Sequence, residues 1–144
     1  MSVIHQVTPT FSVAGQLRPE DVARAAAAGF KVVVNNRPTG EEPNQPSDHA
    51  MRAAAEAAGM AYHALPFAGP PPPATVAAMA ALLEATREPI LAYCRSGRRS
   101  ILAWGMAQAL CGALRPEEII ALGAKAGYDL ADARRALETL SPKP

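Results

Sequence analysis

The chemistry of this chain is concentrated in Cys94-Arg95-Ser96-Gly97-Arg98-Arg99-Ser100: one thiol, one glycine, two hydroxyls and three guanidinium groups in a row. The apolar run Pro89–Tyr93 before it reads as a buried strand, and an apolar helical pattern from about Arg99 to Leu110 follows it. A loop at the start of a helix offers free backbone N–H groups and the positive end of the helix dipole, so it attracts anions. The same surroundings, with guanidinium groups close by, favour a thiolate over a thiol. Cys94 is therefore the expected nucleophile. Arg99 is the expected fork for an oxyanion held at two oxygens. Arg95, Ser96, Gly97, Arg98 and Ser100 complete the expected substrate-binding loop. A structural cysteine at a strand end leaves the three neighbouring arginines unexplained.

Strands and helices that could position this loop alternate along the chain. A weak strand signal at Phe11–Ala14 ends at Gly15. Pro19 opens a helix to Ala28, with Glu20 and Asp21 in its first turn, and Gly29 stops it. Phe30–Val34 is apolar on both faces, as a strand of a parallel sheet is. The polar stretch Asn35–Pro46 leaves the C-terminal end of that strand, the edge at which open α/β sheets bind ligands. Asn35 and Arg37 therefore join the expected substrate-binding residues. Ser47 caps a second helix to Ala58, and Met60–Leu65 is the next strand. Pro66–Pro73 is a stiff, extended loop that leans over the same edge, and Thr75 caps a third helix to about Thr86.

The helix after the nucleophile loop is apolar nearly all round, which places Trp104 and Cys111 in the core. Cys111 lies about 18 Å beyond Arg99 along that helix, too far to pair with Cys94. Pro116 opens a further helix closed by Gly127, and a last one runs from about Leu130 to Leu140. His63 is expected to be packed within its strand, and His49 and His5 to lie at the surface. These elements predict an α/β fold: a three-layer αβα sandwich around a mostly parallel sheet of four or five strands.

A chain of 144 residues, 49% of them hydrophobic, is sized for one domain, 1–144, with its own core. A net charge of +1 gives no global field to recruit nucleic acid or a membrane surface. No apolar run is long enough to span a bilayer, and Met1–Thr10 lacks a basic-then-apolar leader. Two cysteines make no disulfide framework. The expectation is a reduced, cytoplasmic compartment, with no metal and no cofactor.

Two known loops are similar to the nucleophile segment. Tyr93–Ser100 resembles the active loop of single-domain rhodaneses, often Tyr-Cys-Arg-x-Gly-x-Arg-Ser. It also resembles the phosphate loop of cysteine-dependent protein phosphatases, Cys-x5-Arg-Ser/Thr, with one residue fewer between Cys94 and Arg99. Three stretches extend the likeness. They are Gly29-Phe30-Lys31-Val32-Val33-Val34-Asn35-Asn36-Arg37-Pro38-x-Gly40-Glu41-Glu42-Pro43-x-Gln45-Pro46, Ala92–Gly97 and Ala126-Gly127-Tyr128-Asp129-Leu130. Together they resemble the beta-lactamase-hydrolase-like, phosphatase-like domain family over roughly residues 8–140. That resemblance implies a cysteine-phosphatase-like fold, similar to dual-specificity phosphatases. Family members fused to a persulfide dioxygenase-type metallo-domain imply sulfur transfer and a partner enzyme of that kind. Others imply phosphatase activity.

Leaving-group chemistry separates the two activities. A phosphomonoester releases an alkoxide, which needs a proton from a positioned acid worth typically 10²–10⁴-fold. Pro66–Pro73, the loop that matches the acid-bearing loop of the related phosphatases, holds no Asp, Glu or His; Glu41 or Glu42 could substitute, but nothing in the sequence requires either. Thiosulfate or a persulfide releases sulfite or a thiolate, which needs none. The sequence therefore puts sulfur transfer through a Cys94 persulfide first. Phosphate hydrolysis through a phosphocysteine is the alternative, and a non-enzymatic anion-binding or redox-sensing module the third reading. In each case the substrate is a small anion: thiosulfate, a persulfide or a phosphoester.

Overall fold

The computed structural model describes residues 3–142. Five strands form one sheet: β1 (Ile4–Thr8), β2 (Phe11–Ala14), β3 (Val32–Asn35), β4 (Ala61–Ala64) and β5 (Ile90–Tyr93), in the order β1-β2-β5-β3-β4. β1 and β2 are antiparallel, and the remaining pairings are parallel. The helices are α1 (Pro19–Ala27), α2 (Asp48–Ala57), α3 (Pro73–Ala85), α4 (Arg98–Cys111), α5 (Pro116–Lys125) and α6 (Arg134–Leu140), with a short 3₁₀ turn at Ala131–Ala133.

The side-chain alternation of the strands divides the core into two layers. Phe11, Val13, Val32, Val34, Ile90 and Ala92 face the side covered by α3, α4, α5 and α6. Ala14, Val33, Leu91 and Tyr93 face the side where α1 supplies Val22 and Ala25 and α2 supplies Met51 and Ala55. This is the expected αβα sandwich. Central β5, flanked by β2 and β3, leads into the Cys94 loop, and α4 is the buried central helix with Trp104 at 0% exposure.

One strand was not expected, and three expectations are corrected. β1 gives almost no strand signal, because as an edge strand it buries only Val7 fully. α3 begins at Pro73 with Pro72 at the cap, before Thr75, since a proline in the first turn gives up no hydrogen bond. Cys111 is exposed, not in the core; it ends α4 and its thiol donates to Glu84 Oε1 at 3.3 Å. Burial and that carboxylate both push the Cys111 thiol up. His63 is exposed on β4 at the sheet edge instead of packed. Ser47 caps α2 as expected, its hydroxyl accepting from Ala50 N at 3.0 Å, and His49 is exposed.

Candidate active site

Cys94 follows β5 directly and is 1% exposed. The chain then turns through Ser96 and Gly97 into α4, whose N-cap is Gly97 in the left-handed region (φ 91°). Only glycine adopts that conformation without strain, and it aims the Gly97 N–H back at Cys94 Sγ, 3.1 Å away. The turn is anchored on β2: Cys94 N donates to Ala14 O, and Gln16 N donates to Arg95 O, each at 3.3 Å. Gly15 lets this approach occur, since a Cβ there would stand 3.0 Å from Arg95 O.

Arg99, in the first turn of α4, closes the other side. Its Nη1 donates to Glu41 Oε2 and to Phe67 O, both at 3.0 Å, and its Nη2 donates to Glu41 Oε1 at 2.8 Å. The guanidinium is raised above its usual range, by Glu41 first, with the neighbouring Cys94 adding in the same direction. Pro66–Pro73 does lean over the site as expected, through the carbonyl of Phe67.

Glu41, offered by the sequence only as a substitute acid, is instead the partner of Arg99. Its Oε1 also accepts from Arg37 Nε at 2.8 Å. Glu42 continues the chain, with its Oε1 3.4 Å from Arg37 Nη2 and 3.1 Å from Arg95 Nη2. Arg99, Glu41, Arg37, Glu42 and Arg95 thus form one alternating row over the nucleophile loop. Three cations and two anions leave one net positive charge. The Arg99 guanidinium, and behind it Arg37, hold the Glu41 carboxyl below the usual carboxylate range against the opposing effect of burial. Arg37–Glu41 spacing was visible, but the Arg99–Glu41 contact joins residues 58 apart and has no local signal.

The remaining expected residues separate into two groups. Arg95 lies on the rim, exposed, and Ser96 accepts from Arg98 N at 3.4 Å. Ser100 is fully buried, and its hydroxyl has no hydrogen-bond partner among the described residues. Arg37 is 4% exposed and spent within the protein, its Nη1 donating to Gln16 Oε1 at 3.0 Å; it orders the 38–46 loop. Two placements differ from expectation. The Arg98 guanidinium donates to Asp129 O at 2.7 Å and belongs to a tether on the far side of the loop. The Asn35 side chain turns to the opposite face of the sheet, where its Nδ2 donates to Tyr62 Oη at 3.0 Å and its Oδ1 accepts from Arg37 N at 2.8 Å. It shapes the turn that presents Arg37. Tyr62, which donates to Asp48 Oδ1 at 2.6 Å, is pushed up to about 12 by burial and by that carboxylate, and stays a neutral phenol.

A thiol at the C-terminal end of a central parallel strand, a glycine-turned loop and an arginine in the first turn of the next helix define a cysteine-phosphatase-like domain. Residues 3–111 match the phosphatase-like domain of the beta-lactamase hydrolase-like proteins, and the chain belongs to that family. It is 32% identical over 142 residues to the Beta-lactamase hydrolase-like protein of Xylella fastidiosa strain Temecula1, covering 94% of this chain and 33% of the relative. The chain thus spans about one third of the length of the curated relatives it matches. A solved candidate phosphatase of Neisseria meningitidis z2491 is 30% identical with a TM-score of 0.81, covering 95% of this chain and 97% of that one. Tk-PTP in its active form shares the fold, with a TM-score of 0.71 at 15% identity over 95% of each chain.

Proposed function

We propose that this domain is a cysteine-dependent phosphomonoester hydrolase restricted to esters whose leaving group departs as an anion. This reverses the order that the bare sequence suggested. The observation that carries it is the Arg99 fork: two of its nitrogens hold the two oxygens of one carboxylate at 3.0 and 2.8 Å. A phosphoryl group presents the same pair of oxygens, so Glu41 stands where two oxygens of a tetrahedral anion would lie. The likeness to the Neisseria candidate phosphatase and the family's phosphatase-like designation support the same reading.

In the first step Cys94 thiolate attacks phosphorus, the P–S bond forms and the P–O(ester) bond breaks. The leaving oxygen carries away the bonding pair. Arg99 takes over the equatorial oxygens as Glu41 yields, and the Gly97 N–H stabilises the sulfur before and after transfer. Water then attacks the phosphocysteine, the P–S bond breaks, inorganic phosphate leaves and the thiolate returns. The restriction on substrates follows from Glu41. A carboxyl held ionised by two guanidinium groups has no proton to give at neutral pH. An aryl oxide needs none; an alkoxide does.

Sulfur transfer is the second reading, and the same missing acid favours it. Cys94 thiolate would attack the outer sulfur of thiosulfate, the S–S bond would break and sulfite would leave with the pair. An acceptor thiolate would then remove the sulfur from the Cys94 persulfide. A persulfide dioxygenase-type partner belongs to this reading only. With either substrate we place the domain, as a single unit, in the cytoplasm, where its two free cysteines stay reduced. No helix among the described residues is long and apolar enough to cross a membrane.

The deciding experiment compares aryl with alkyl phosphates, and in parallel weighs the intact protein and its Cys94→Ser variant after exposure to thiosulfate. The expected result is aryl turnover at least about 10²-fold faster than alkyl turnover. No phosphate release from either ester, together with one sulfur atom added at Cys94, would hand the assignment to sulfur transfer. Glu41→Gln provides a further check. Removing the competing charge should tighten competitive inhibition by inorganic phosphate by roughly tenfold. The pH–rate profile should keep its shape, because an ionised Glu41 supplies no alkaline limb; a limb that vanished in this variant would make Glu41 the acid.

A further inference from the structure

We infer that Tyr128 is a positioning residue for the nucleophile, acting through the peptide that joins Ser96 to Gly97. The inference rests on Cys94 reacting as a thiolate and is independent of the group transferred. Tyr128 Oη donates to Ser96 O at 2.9 Å. Gly97 N donates to Cys94 Sγ at 3.1 Å. That carbonyl and that N–H belong to one planar, trans peptide unit, so they point in opposite directions. A hydroxyl gripping the oxygen fixes the direction of the N–H, and that direction is onto the sulfur. Polarisation works the same way: a donor on the carbonyl makes the N–H of the same amide a stronger donor.

The fold holds Tyr128 for this task. α5 ends in a paired cap, with Gly127 N donating to Ala124 O at 3.0 Å and Tyr128 N to Gly123 O at 2.8 Å, and Gly127 in the left-handed region (φ 100°). The phenol ring is set edge-on against His5, with centroids 5.4 Å apart. Next to it Asp129 O accepts from Arg98 Nη1 at 2.7 Å, which tethers the residue after Gly97 as well. Tyr128 also blocks the outer side of the turn: a Cβ on Gly97 would run into Tyr128 Oη. Burial first, and the neighbouring Cys94 second, push the Tyr128 phenol up, so it remains a neutral donor.

The test is Tyr128→Phe, which keeps the ring against His5 and removes only the hydroxyl. In a Cys111→Ser background, which leaves Cys94 as the one thiol, alkylation by iodoacetamide followed by intact mass across a pH series reads the thiolate directly. The charged groups around the loop are unchanged: Arg95, Arg99, Glu41 and Glu42 on one side, Arg98, Asp129 and His5 on the other. Alkylation at pH 7 should therefore slow about threefold to tenfold, with its midpoint moved to higher pH and little change in the thermal unfolding midpoint. His5→Ala, which loosens the ring, should shift the profile the same way by less. A Tyr128→Phe profile superimposable on the parent's would overturn the inference. If Tyr128→Phe fails to fold, the His5→Ala profile decides alone: an unshifted curve overturns it equally. Loss of aryl phosphate turnover with an unmoved alkylation profile would count against it too, and would leave the proposed reaction standing.

Discussion

Cys94→Ser should abolish turnover, by at least about a thousandfold, while leaving the fold and anion binding in place. Serine is close to cysteine in size, and Gly97 N–H can donate to its oxygen as it does to Sγ at 3.1 Å. The loss is chemical. A hydroxyl in this loop has no base beside it, since Glu41 is committed to Arg99 and Arg37 and Arg98 faces Asp129. Two measurements check this. Steady-state release of phosphate from an aryl ester should fall to background. The thermal unfolding midpoint, with and without inorganic phosphate, should show the variant folded and still stabilised by the anion. Parent-like turnover in Cys94→Ser would remove the nucleophile from the scheme.

Gly97→Ala should be the most damaging single methyl in the molecule. The backbone at φ 91° costs an alanine about 1–3 kcal/mol before any contact is considered. The added Cβ also meets the Tyr128 hydroxyl and lies 3.3 Å from Ala14 O. Relief requires the loop to turn over or Tyr128 to withdraw, and either move takes the Gly97 N–H off the sulfur. The unfolding midpoint should drop by roughly 5–10 °C, and Cys94 alkylation at neutral pH should slow more than in Tyr128→Phe. Gly40, also at positive φ, has nothing near a built Cβ. Gly40→Ala should therefore lose stability without slowing alkylation, which separates backbone strain from the disturbance of the thiolate.

The strand–loop–helix around Cys94 was legible in the sequence because its parts are contiguous: strand, cysteine, glycine and arginine fall within one short run, and each residue type implies the next. The parallel core was legible for a similar reason, since Val32–Val34 is apolar at every position and no half-exposed strand is. Asn35 was misread through parity. Val32 and Val34 face the layer beneath α4 and Val33 faces the other, so Asn35 must follow Val33, away from Cys94. Cys111 was misread because a helix that looks apolar all round still has an end, and this end meets Glu84 of α3. The pairing of Glu41 with Arg99 was invisible for a different reason. Glu41 meets Arg99 only after β3 has paired with β5, and no short-range pattern encodes that meeting.

The division of labour among the strand ends has a corollary. The Cys94 thiol follows the middle strand, whereas the groups that grip Arg99 belong to the connections after β3 and β4. Those two segments hold Arg99 of α4 through Glu41 and through the Phe67 carbonyl, while the Gly97 N–H holds Cys94 without them. Changing either connection would therefore give the arginine a new partner while the contact between Gly97 and the thiol stayed as it is.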